Sequence, residues 1–121
     1  MAQAGVATWD NAASERVPSA TVSREGERTV VTLSGEHDHA TEAVLVGTIA
    51  GAISLDDADL VIDMADVEFI DSSTLVVLVR TWEFLRQRSR ALVVRAPSAR
   101  ARRVLDAGGL AGLIAVQSRE R

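Results

Sequence analysis

The run Phe69-Ile70-Asp71-Ser72-Ser73-Thr74-Leu75 sets one carboxylate and three hydroxyls side by side. It lies where a β-branched stretch gives way to helical periodicity. A helix beginning there points its free N–H groups and its positive dipole end at the serines, which makes the spot a good anion site. A phosphate added there gains charge-assisted hydrogen bonds at the helix start and meets repulsion from Asp71. The helix then opens with five apolar residues in a row, Leu75 to Val79. One core-facing stripe cannot account for five consecutive positions, so some of Val76, Val77 and Val79 should turn outward beside a modifiable hydroxyl. That suits a partner-docking surface which a phosphate spoils. The plainer reading, two serines as N-cap and N1 of an ordinary buried helix, fits the same residues.

Other chemistry is sparse. There is no cysteine, so disulfides, thiolate nucleophiles and Cys-based zinc sites are excluded. His37 and His39 flank Asp38, a weak metal pattern that solvated or capping roles explain equally well. No nucleophile elbow, P-loop or G-x-G-x-x-G is present, so no dedicated nucleotide site is supported. Asp63 and Asp71 offer a carboxylate pair of the kind a hydrolase uses, and both read better as ends or caps of elements. The expectation is a non-enzyme without metal or cofactor. The net charge of -4 divides into -11 over residues 1–71 and +7 over residues 72–121, and every basic residue is Arg. Arg86, Arg88 and Arg90 suit the negative end of a helix dipole. With two Trp, two Phe and no Tyr in an acidic chain, nucleic-acid binding is not expected.

These groups need elements to hold them. With 121 residues, 47% hydrophobic and 25% charged, the chain reads as one globular domain rather than a disordered or fibrous one. No apolar run approaches the length of a membrane span and no secretory signal is visible, so a cytoplasmic location is expected. Residues 1–18 read as a mobile tail whose Trp9 is able to dock, and 118–121 as a frayed end. SATVSR, a turn at Gly26 and RTVVTLSG form a hairpin with Val31 and Leu33 inward. A helix follows, with Asp38 as N-cap and Glu42 in its first turn. Its apolar stripe is Val44, Leu45, Thr48, Ile49, Ala52 and Ile53, and Gly47 and Gly51 allow close packing on the sheet. LVIDM reads as a strand buried on both faces. The helix after the serines should turn Leu75, Leu78, Trp82 and Leu85 to the core. ALVVRA is a further strand, Pro97-Ser98 opens a helix that Gly108-Gly109 stops, and LAGLIAVQ holds a short edge strand. The pattern is an α/β domain with a mixed sheet.

Phe69 to Leu75 resembles the F-[IM]-D-S-[ST]-G-L signature of the STAS domain of bacterial anti-sigma-factor antagonists. GEHDHAT (35–41) is similar to the family's turn into its first helix. LVIDMADVEFID is similar to its strand and loop, and SARARRVLDAGGLAGLI to its closing segment. Together these matches span residues 19–117. The resemblance implies a mixed four- to five-stranded sheet with helices mainly on one face. It implies that the unmodified chain binds an anti-sigma factor that is also a Ser/Thr kinase. Phosphorylation of Ser72 then breaks that complex, and a metal-dependent phosphatase restores it. Asp71 would position the Ser72 hydroxyl, with Ser73 and Thr74 as flanking contacts and reserve acceptors. Glu36, Asp38, Val76, Val77 and Arg80 would complete the partner surface of a monomer or weak dimer. Thr74 stands where the family has Gly. Related readings are a scaffold of a stress-sensing complex, an accessory subunit of a lipid transporter, or a weak nucleotide-binding domain.

Overall fold

The computed structural model describes residues 19–118. Strand β1 (Ser19–Glu25) turns at Gly26 into β2 (Arg28–His37). Gly26 holds φ at 61°, a left-handed conformation that a side chain disfavours, so this tight turn needs glycine. The hairpin is antiparallel, with Val22 opposite Val31 and Ala20 opposite Leu33. After a 3-10 turn at His39–Thr41 come α1 (Glu42–Leu55), β3 (Leu60–Ile70), α2 (Ser72–Arg86), β4 (Leu92–Arg95) and α3 (Ala99–Ala107). A second 3-10 turn leads to β5 (Ala115–Gln117). The sheet order is β1-β2-β3-β4-β5, and every pair after the hairpin is parallel. Parallel neighbours require crossovers, and the three helices supply them.

One face of the sheet carries the core. Val31, Leu33, Leu60, Ile62, Met64, Leu92 and Val94 pack with Leu45, Ile49 and Ala52 of α1, Val77, Leu78 and Leu85 of α2, and Ala101 and Leu105 of α3. All three helices therefore lie on that face, as expected for a mixed α/β fold of this class. Neighbours along a strand alternate faces, so Val30 and Val61 belong to the helix-free face, yet both are buried. Arg95 of β4 explains part of this. Its Nε donates to Asp63 of β3 at 3.0 Å, and its two terminal nitrogens donate to Glu25 of β1 at 2.8 and 3.0 Å. With β2 and β3 in between, this ion pair bridges the strands that carry Val30 and Val61. Hydrogen bonds to Glu25 first and Asp63 second outweigh burial and hold the Arg95 guanidinium above its ordinary pKa.

The core differs from the expected stripes in two places. On α1, Val44 is 60% exposed, and Gly47 and Gly51 face open space rather than the sheet. On α2 the buried stripe is Thr74, Val77, Leu78, Thr81 and Leu85, while Leu75 and Trp82 are only partly buried at its edge. Two threonines enter the core because their hydroxyls are satisfied, that of Thr81 by the Val77 carbonyl one turn back at 2.8 Å and that of Thr74 by the His37 carbonyl of β2. The expected tail over 1–18, with Trp9, and the residues after Ser118 lie outside the described residues.

Candidate functional site

Strands β2 and β3 end together. Glu36 lies beside Phe69 and His37 beside Ile70, after a register shift at Gly35, whose φ of 81° demands glycine. The loop into α1 and the turn into α2 therefore emerge side by side. This brings Glu36 and Asp38 next to Asp71, Ser72 and Ser73, although more than thirty residues separate them in the chain. Thr41 closes the first loop, its Oγ1 accepting from the Asp38 N–H and donating to the Asp38 carbonyl, both at 3.0 Å.

Asp71 is the N-cap of α2, in extended conformation. An N-cap carboxylate reaches the N–H two residues on, and here Oδ1 accepts from the Ser73 N–H at 3.0 Å and from the Ser73 hydroxyl at 2.6 Å. Oδ2 accepts from the His39 N–H at 3.2 Å, tying the two loops together. Burial raises the Asp71 pKa. Hydrogen bonds from the Ser73 hydroxyl and from the Ser73, Thr74 and His39 N–H groups outweigh it and hold the carboxyl below its ordinary value. The expected contact of Asp71 with the Ser72 hydroxyl does not form, because the capping geometry directs the carboxylate to Ser73.

The three hydroxyls thus have three different situations. Ser72 is exposed and its hydroxyl makes no hydrogen bond among the described residues. Ser73 is half-buried and bound to Asp71. Thr74 is 2% exposed and donates to the His37 carbonyl at 3.2 Å, pinning α2 to the end of β2. Thr74 is therefore not positioned as a flanking contact or reserve acceptor. Its side chain points inward, so replacing the family Gly does not crowd the approach to Ser72. Val77 is also corrected: it is 6% exposed and packs in the core, whereas Val76 is 46% exposed. Ser72, Val76 and Arg80, spaced four apart, form the outward ridge of α2.

Beside this ridge is a cavity of about 450 Å³ lined by Ser72, Leu75, Val76, Val79 and Arg80 of α2 and by Gly108 and Leu110 after α3. A Cβ on Gly108 would come within 2.6 Å of Leu75 Cδ1, so glycine allows the end of α3 to close on α2. Sequence reasoning saw Gly108 only as a helix stop. It also missed Phe69, a half-exposed aromatic beside Glu36 that breaks the burial alternation of β3.

The remaining candidates separate. His37 is buried, its Nε2–H donating to the Ser34 carbonyl at 3.0 Å, while exposed His39 lies 3.2 Å from Glu42. Among the described residues no group of three acidic, His or Cys side chains is placed to hold a metal ion. Asp63 is bound to Arg95 on the helix-free face and does not pair with Asp71. Arg86 stacks on Trp82, Arg88 on Phe84, Arg90 donates to the Ala58 carbonyl, and Arg102 lies 3.6 Å from Asp106. With Arg95, five arginines of the basic half are engaged within the molecule. Arg80 makes no hydrogen bond or ion pair among the described residues.

Comparison with known proteins places this geometry. Residues 20–115 match the family described as "Mlab, STAS domain". The chain is similar to an anti-sigma factor antagonist from Mycobacterium paratuberculosis at 28% identity, over 86% of this chain and 88% of that one, with a TM-score of 0.77. An anti-sigma-factor antagonist (STAS) domain protein from Planctomyces limnophilus shares the fold at 20% identity, over 84% and 91% of the two chains, with a TM-score of 0.75. So does the Bacillus cell fate determinant SpoIIAA in its phosphorylated form, at 21% identity, over 84% and 93%, with a TM-score of 0.64. No helix among the described residues is long and apolar enough to cross a membrane. With the family match covering most of the chain and the hairpin-plus-crossover sheet that carries Asp71 and Ser72 at one end, the chain belongs to the STAS domain family.

Proposed function

We propose that this chain is an anti-sigma-factor antagonist. In its unmodified form it binds an anti-sigma factor that is also a Ser/Thr kinase, and phosphorylation of Ser72 releases that partner. One observation carries the reading: of three consecutive hydroxyls, only that of Ser72 is exposed and uncommitted. The similarity to antagonists, one of them known in a phosphorylated form, supports it. The partner surface is the ridge of Ser72, Val76 and Arg80, extended by Ser73, Glu36 and Asp38 across the adjoining loops.

The release follows from charge. A phosphoserine at the first turn of α2 carries about two negative charges next to Asp71, whose carboxylate already accepts three hydrogen bonds and whose charge those donors hold. The N-terminal end of the helix tolerates that charge. The Ser72 end of the ridge, which met a partner with an uncharged hydroxyl beside Val76, becomes strongly anionic. Arg80, two turns along, sits about 12 Å further down the helix axis and does not neutralise it. A metal-dependent Ser/Thr phosphatase would restore the binding form.

The test uses the kinase-type anti-sigma factor encoded nearest this chain, with ATP. Expected is the mass increment of one phosphate, mapped to Ser72, with loss of the complex on a sizing column. Ser72→Ala keeps binding and gains no phosphate, and Ser72→Asp binds poorly. Binding without any change of mass overturns the switch and leaves a constitutive docking subunit.

A further inference from the structure

Strand β1 ends the sheet. The backbone N–H and C=O groups on its outer side find no backbone partner among the described residues. Such a row is a template for a further strand, and proteins usually guard it with bulges, Pro or outward charges. β1 lacks these guards. Its register with β2 runs unbroken from Ser19 opposite Ser34 to Glu25 opposite Arg28, with no bulge and no Pro. Its two charged side chains turn back into their own molecule, Arg24 to Asp56 and Glu25 to Arg95 of β4. Val22 is left 39% exposed in the middle of the strand. The other edge strand, β5, has three residues against the seven of β1.

Length and charge select the occupant. A strand that covers all seven residues without a gap is β1 of a second copy, laid antiparallel about a two-fold axis. The register follows from the side chains. Centred on Arg24, the pairing sets two guanidinium groups opposite each other, which is destabilising. Centred on Ser23, it leaves Ser19 and Ala20 overhanging. Centred on Val22, every residue is paired: Val22 meets Val22, Thr21 meets Ser23, Ala20 meets Arg24, and Ser19 meets Glu25. No like charges are opposed in that register.

We propose that two copies of this chain associate through β1, antiparallel and centred on Val22, into one continuous sheet with the helices of both copies on the same face. The inference stands apart from the phosphorylation switch. Ser72 follows β3, two strands in from this edge, and takes no part in the pairing.

Sedimentation equilibrium of the full chain tests this from about 10 µM to about 1 mM, the range in which an interface below about 1,200 Å² associates. Expected is a reversible monomer–dimer equilibrium with no larger species, because a two-fold contact closes on itself. Val22→Lys sets two ammonium groups against each other at the axis and should keep the chain monomeric. Its circular dichroism spectrum should stay that of the parent, since Val22 is a surface residue. The chain has no cysteine, so single cysteines report the register. Residues opposite each other in an antiparallel pair lie about 5 Å apart at Cα, a spacing that a disulfide spans. Val22→Cys should therefore oxidise to a cross-linked dimer. Ser19→Cys, whose two copies stand about 20 Å apart in this register, should cross-link at least about tenfold more slowly. Ser72→Asp should sediment like the parent, so a failed switch leaves these results untouched. Equal cross-linking at the two positions, or a dimer that persists in Val22→Lys, would overturn the proposal. A monomer at every concentration would also overturn it, and would leave the edge to residues 1–18 of the same chain or to a strand of another protein.

Discussion

At the scale of single residues, position within the first turn of α2 decides chemistry more than residue type does. Ser72, Ser73 and Thr74 carry the same functional group, yet capping consumes one hydroxyl and burial another. Thr74→Val is isosteric but removes the donor to the buried His37 carbonyl, so a loss of about 1 kcal/mol is expected in urea unfolding. Thr74→Gly, which restores the family residue, should cost more than the valine, because it also empties the buried space that the side chain fills. Ser72→Ala should leave stability within about 0.5 kcal/mol of the parent, as substitutions at exposed positions free of contacts usually do. A large loss there would mean that Ser72 holds a structural bond and is not free for modification.

At the scale of elements, the α2 N-terminus is clasped to the loop before α1 by Asp71. The bonds from Ser73, Thr74 and His39 lower its pKa in the folded chain. A group depressed on folding contributes stability that is complete above its unfolded pKa, about 3.9, and that disappears as pH falls through the lower folded value. Asp56 and Glu25 are shifted the same way, Asp56 chiefly by the Ala58 N–H and Glu25 chiefly by Arg95. The urea midpoint should therefore be flat from neutral pH down to about 5 and fall below about 4. Asp71→Asn should lower the midpoint at neutral pH and make the acid limb shallower. An unchanged acid limb in this variant would remove Asp71 from the account. On the same helix, Val77→Ala should cost about 2 kcal/mol by leaving a core cavity, while Val76→Ala should be near neutral. That pair of melts checks which way the valine run faces.

At the scale of the molecule, charge follows the two faces of the sheet. The helix-free face is tied across four strands by Glu25, Asp63 and Arg95. Arg95→Met should lower the melting temperature more than Glu25→Gln, since it leaves Asp63 without its partner and opens the cover over Val30 and Val61. High salt should shrink the effect of Glu25→Gln, where the exposed Glu25 contact is screened, and leave most of the gap to Arg95→Met, which rests on the less exposed Asp63. The amino-acid sequence by itself determined the element order, the hairpin, the α/β class, the core strands and the strand-to-helix turn holding Asp71 and Ser72, because periodicity, glycine turns and capping act within a few residues. It could not say which of Val76 and Val77 turns inward. That choice depends on helix rotation against the sheet, which the buried Thr74 helps to set through its bond to the His37 carbonyl of β2, a contact invisible to hydropathy. Nor did it show Arg95 answering Glu25, or His39 closing on Asp71, for those contacts join residues brought together only by the parallel crossovers. The split of charge at Asp71–Ser72 was legible in the chain. That five of the arginines on its basic side are spent within the molecule, while Arg80 finds no partner among the described residues, was decided by the tertiary structure, since only packing determines which cations find partners.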